Sequence, residues 1–127
     1  MHDRPTAAEL VAAVRGFLEA ELLPALADAR LRFQALVAAN VLGVAERELA
    51  LEGRHLAEEW AGLAGLLGLD PAPPPELRGA VTAAHEKLCL EIRKGAFDAP
   101  EAAAMLLREL REQVRRKLEV ANPKALV

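Results

Sequence analysis

Three groups of side chains in this 127-residue chain have types and spacings that chemistry could use. Thr82, His85 and Cys89 follow an i, i+3, i+7 pattern, which on a helix sets them in one line with the imidazole in reach of the thiol. A Cys–His pair is one route to an activated nucleophile, but it needs an oxyanion hole and an orienting group. No glycine-rich turn stands near Cys89 to supply the first, so ordinary packing is the expectation there. His55 and Glu59 lie one turn apart with Glu58 alongside, enough for two metal ligands, and Met1-His2-Asp3 adds another only by folding back. Pairs of this kind are also common on solvated helix faces. The third group is Asn40, with Arg47 and Glu48 further along the same face. An amide on a buried helix requires a partner, since leaving it unpaired costs about 1–3 kcal/mol. Asn40 therefore either fixes helix register or binds a ligand, and Asn40, Arg47 and Glu48 are the candidate ligand-binding residues.

Other chemistry is excluded by what the chain lacks. It has no Ser and no Tyr, which removes serine-nucleophile and tyrosine acid/base catalysis. The lone Cys89 rules out an internal disulfide and a cysteine-rich zinc site. A net charge of −3 with three Phe and one Trp gives neither the basic footprint nor the stacking platform of a nucleic-acid binder. No phosphate loop, dinucleotide fingerprint or paired metal motif occurs. The residues thus imply no cofactor, no metal and no catalytic constellation. Arg outnumbers Lys twelve to four beside 27 Ala and 23 Leu, a bias that fits a GC-rich genome or a thermophile. The opening Met-His-Asp-Arg-Pro has no leader pattern, so a cytoplasmic setting is expected.

These side chains have to be positioned by helices, because the apolar periodicity is helical throughout. Thr6 and Glu9 form a capping box that starts a first helix, with Leu10, Val14, Phe17 and Leu18 inward, Arg15 and Glu19 outward, and Pro24 ending or kinking it near Leu22. Asp28 is the expected N-cap of a second helix ending near Gly53. That helix is apolar almost all round: Phe33, Val37 and Val44 on one side, Leu31, Leu42 and Leu49 on much of the other. Only a strip near Arg32, Ala39, Gly43, Glu46 and Ala50 is left for water. Such a helix is expected to be the buried central rod of a bundle, about 36 Å long. Arg30, Arg32, Glu46, Arg47 and Glu48 interrupt it too often for a membrane span.

A third helix carries Leu56, Trp60, Leu63 and Leu67 and stops at Gly68. Asp70-Pro-Ala-Pro-Pro-Pro75 is a stiff extended crossover. A fourth helix follows from about Glu76 to Lys94 with Gly95 beyond it. A fifth begins at the second box, Asp98 to Glu101, with Ala103, Leu106, Leu107, Leu110, Val114 and Leu118 inward, and Arg108, Arg111, Arg115, Arg116 and Lys117 outward. The expected fold is all-α, a five-helix bundle around a buried central second helix with a proline-rich crossover, forming one domain over 1–127. Residues 104–127 carry a local charge of +3 and the first 69 carry −4, an asymmetry suited to docking or head-to-tail self-association.

Two stretches carry a resemblance: His2-Asp-Arg-Pro-Thr-Ala-Ala-Glu-Leu10 leading into Leu22-Leu-Pro24, and Leu31-Arg-Phe33 with Val37-Ala-Ala-Asn40 and Glu46-Arg-Glu-Leu49. Together they resemble a family of short bacterial helical proteins of unknown function. Its members are encoded beside or fused to kinases of the aminoglycoside/choline phosphotransferase type and near acyl-CoA dehydrogenases. The family brings no catalytic residues. What the resemblance implies is a protein partner, with the chain as an accessory or interaction module; self-association as a homodimer or other homo-oligomer is a further expectation for such a module. That reading expects an exposed apolar patch, including Trp60, Leu66 or the Leu22–Leu26 turn. The alternative is a small-ligand bundle that holds an acyl-type group near Asn40.

Overall fold

The computed structural model describes residues 4–127, and every regular element among them is helical. Four helices carry the fold: α1 (Ala7–Phe17), α2 (Ala29–Leu67), α3 (Leu77–Arg93) and α4 (Pro100–Ala121). A π-helical turn at Leu18–Leu22 and a last turn at Leu23–Ala25 extend α1, and a 3-10 turn at Pro123–Leu126 follows α4. None of the helices in the described residues is long and apolar enough to cross a membrane.

The expected five helices are four because the second and third are one continuous helix of 39 residues. Gly53, the expected stop, lies inside it. An internal glycine costs only about 1 kcal/mol relative to alanine, and a helix ends there only when the backbone turns left-handed and finds a capping bond. Gly68 meets both conditions, with φ of 68° and the Leu69 amide donating back to the Ala64 carbonyl. Gly95 does likewise after α3, with φ of 88° and the Ala96 amide donating to Glu91.

The helix starts follow their side chains. Thr6 Oγ1 accepts from the Glu9 amide at 3.2 Å, and Asp28 Oδ1 accepts from the Leu31 amide at 3.0 Å. The second box is shifted by one residue, with α4 starting at Pro100 and the Ala103 amide bonding to Ala99. Pro24 has no amide hydrogen to offer the preceding turn. That turn widens into the π form, with the Leu23 amide reaching Leu18, instead of breaking.

The chain divides into two compact units. The first holds α1, α2 as far as Leu51, and residues 119–125. The second holds α2 from Glu52, α3 and α4 as far as Leu118. The second has the conventional core: Leu63, Val81, Ala84 and Leu88 are buried, with Leu56, Trp60, Leu66, Leu67, Leu77, Phe97 and Leu106 against them. The Trp60 indole donates to the Ala72 carbonyl at 3.1 Å, which ties the proline connector down.

Candidate functional site

The first unit is built in the opposite sense to its sequence pattern. On α2 the buried positions are Ala35, Ala39 and Gly43, four residues apart on one line, with Ala39 only 1% exposed. Ala39 and Gly43 belong to the strip that the apolar pattern leaves for water, whose Arg32 and Ala50 are exposed. Small side chains let a neighbour approach closely, and Arg15 and Glu19 of α1 share a hollow with Ala39 and Gly43. Arg15 of α1 lies over Gly43 and its Nε donates to Glu46 Oε2 at 2.8 Å, while Glu19 takes an Nη1 contact at 3.3 Å. The hydrogen bond and charge of Glu46 hold the Arg15 guanidinium above its ordinary range. Arg15, expected to face away, is thus the link between the two helices. The signal for it was its phase, since it shares a line with Val11, Leu18 and Leu22, all half-buried.

The large apolar residues point the other way. Phe33 is 65% exposed and Val41 61%, and Leu31, Val37 and Leu49 of α2 and Leu10, Val14 and Phe17 of α1 are exposed with them. The buried central rod is therefore corrected: α2 covers its narrow small-residue edge and shows its broad apolar face. Helical phase joins these residues into one surface. Arg15 and Glu19 flank the α1 side of a hollow whose α2 side is Asn40, Val44 and Arg47, so Leu10, Val14 and Phe17 lie on the far side, level with Leu31, Leu42 and Leu49. Together the exposed apolar residues amount to roughly 750 Å². The largest patch on a typical monomer is about 300–600 Å². Trp60 and Leu66, where a patch was expected, pack on the second core instead, and Leu22, Leu23 and Leu26 are half-buried.

The hollow has a volume of about 510 Å³ and lies wholly within the first unit. Its walls are Arg15, Glu19, Ala39, Asn40, Gly43, Val44, Glu46 and Arg47, closed by Ala121 to Lys124. Arg47 is anchored by its Nε, which donates to the Val120 carbonyl at 2.7 Å. Of the candidate ligand residues, Asn40 and Arg47 meet here and Glu48 does not. Asn40 is exposed, a correction to the buried amide that the sequence suggested, so the demand for a partner that burial would impose does not arise. Asn122 and Lys124 join the hollow from the end of the chain, and nothing local in their sequence announces it.

The remaining groups fall in the second unit. His85 Nε2 lies 2.6 Å from Glu59 Oε1, so α3 supplies a histidine partner for Glu59. Cys89 is exposed. No cluster of three metal-ligating side chains occurs among the described residues, and the contribution of Met1-His2-Asp3 lies outside them. On α4 the inward line includes Glu109, Gln113 and Arg116, whereas Leu107, Leu110 and Val114, expected inward, are exposed. Arg116, expected outward, is 6% exposed and donates to Glu109 at 3.0 Å, with Glu58 at 3.9 Å.

Among the described residues the chain is all-helical, and its first unit carries a hollow and an uncovered apolar face. The family model described as Domain of unknown function (DUF6285) matches residues 24–125, and the chain belongs to that family. No curated protein and no solved structure matches it.

Proposed function

We propose that the protein is a non-catalytic helical interaction module, an accessory or subunit for a phosphotransferase-like kinase or an acyl-CoA dehydrogenase. The observation that carries the reading is the orientation of α2, which spends its small residues on its own fold and leaves Phe33, Val37 and Val41 in water. Leaving apolar area wet forfeits about 25 cal/mol per Å², a cost that selection tolerates where another surface covers it. The partner class comes from the resemblance carried by the first half of the chain.

A second reading has an observation of its own: the hollow beside Asn40 and Arg47 has the volume of a small-molecule site. Its rim of Arg15, Glu19, Glu46, Arg47 and Lys124 favours a polar ligand over the acyl-type group first considered. Native mass spectrometry of the protein purified gently from its host separates the two. A ligand-free oligomer, or a complex with a kinase-like or dehydrogenase chain, supports the interaction module. A monomer with a stoichiometric small-molecule adduct refutes it.

A further inference from the structure

We infer that the exposed stripe of α2 is closed by a second copy of this chain, the two α2 helices running antiparallel about a two-fold axis at the level of Ala39. The inference rests on the interaction reading and names the occupant of its surface. Arg30, Phe33, Val37, Val41, Val44 and Glu48 fall at intervals of 3, 7, 11, 14 and 18 residues from the first, one line along the helix. Eighteen residues is five turns, about 27 Å. The line is apolar in its middle and ends in two exposed side chains of opposite sign, Arg30 and Glu48.

That arrangement is self-complementary in one direction only. With the axis level with Ala39, antiparallel pairing sets Arg30 against the partner's Glu48 at one end and the reverse at the other. Val37 then meets the partner's Val41, and the Phe33 ring meets the small Ala45. Parallel pairing would set arginine on arginine and glutamate on glutamate. An isologous contact needs this self-matching, and an unrelated partner gives no reason for it.

The test uses the purified full-length chain and two surface variants, Arg30→Glu and Glu48→Arg, each shown by circular dichroism to be as helical as the wild type. Sedimentation equilibrium should find the wild type dimeric. Each variant creates two like-charge contacts and should weaken the dimer about tenfold. An equimolar mixture of the two variants restores opposite charges at both ends. Native mass spectrometry should then show the mixed dimer in excess over either homodimer. A wild type that stays monomeric to near-millimolar concentration overturns the inference, as does a dimer in which mixing restores nothing. A monomer that instead forms a defined complex with a kinase-like or dehydrogenase chain overturns self-association while leaving the interaction reading intact. A monomer that carries only a small-molecule adduct overturns both.

Discussion

The orientation of α2 can be tested by two substitutions whose effects reverse if the helix is turned the other way. Ala39 is 1% exposed and stands beside Arg15 and Glu19 of α1. Ala39→Leu adds three carbons at a position whose own side chain is almost wholly covered, and overpacking of that kind costs about 1–3 kcal/mol. Phe33 is 65% exposed, so about a third of its surface is covered within one chain. Full burial of a phenylalanine stabilises by about 1.5–3 kcal/mol, so Phe33→Gln should cost a single chain about 0.5–1 kcal/mol. Urea unfolding followed by far-UV circular dichroism, at low concentration to isolate the single chain, measures both. Raising the concentration should stabilise the wild type and not the Phe33→Gln variant, because association adds stability by mass action only where the face is intact. A loss of about 3 kcal/mol or more for Phe33→Gln at low concentration, with Ala39→Leu neutral, would refute the orientation, since that is the signature of a buried aromatic ring.

Other expectations follow from single contacts. A Cβ at Gly43 would stand 3.5 Å from Arg47 and 3.7 Å from Arg15, ordinary van der Waals separations, so Gly43→Ala should raise the thermal midpoint through about 0.5–1 kcal/mol of helix propensity. Arg116→Met leaves the Glu109 carboxylate, itself mostly covered, without its partner. It should cost about 3 kcal/mol in denaturant unfolding, whereas Arg108→Met, on an exposed site, should cost almost nothing. Asn40→Leu should spare oligomerisation and abolish any saturable small-molecule binding to the hollow, read by calorimetry with the ligand that native mass spectrometry identifies. Because Glu46 raises the Arg15 pKa, the contribution that this shift makes to stability is constant between pH 6 and 9 and is lost only as pH rises through the guanidinium range. Unfolding free energy between pH 6 and 9 should therefore not distinguish Arg15→Lys from the wild type by its pH slope.

Caps and stops were legible in the sequence because each is a local bond between neighbours. Thr6, Asp28, Gly68 and Gly95 act within five residues of themselves, and all four do what their chemistry requires. Gly53 failed as a stop for the same reason in reverse, since no capping bond exists there to reward a left-handed turn. The phase of the helices was less legible. On α4 the apolar line Leu107, Leu110, Val114 and the polar line Glu109, Gln113, Arg116 are both regular. The sequence does not say that Glu58 and Glu109 are placed to receive Arg116, which decides the rotation. The hollow was legible by half: Asn40 and Arg47 share a face, but the tail residues Asn122 and Lys124 arrive from more than seventy positions away.

The error on α2 has a physical cause that bears on function. A helix apolar on nearly all sides gives no preferred phase to a hydrophobic argument, because every rotation buries apolar area. Under that degeneracy the distance of closest approach decides. A neighbour that packs on Ala35, Ala39 and Gly43 comes nearer the helix axis than one that packs on Phe33 and Val37, and so makes more contacts for the same length. The small strip is therefore the natural seat for the intrachain partner α1, which is tethered by the short loop at Leu26–Asp28 and pays little entropy to dock. The large residues are then left for a partner that does not share the chain. A helix with one small edge and one large edge is in this sense addressed twice, first to its own hairpin and then to something outside it. The opposite charges of Arg30 and Glu48 at the two ends of the outer edge fit a second copy in antiparallel register better than any surface without that symmetry.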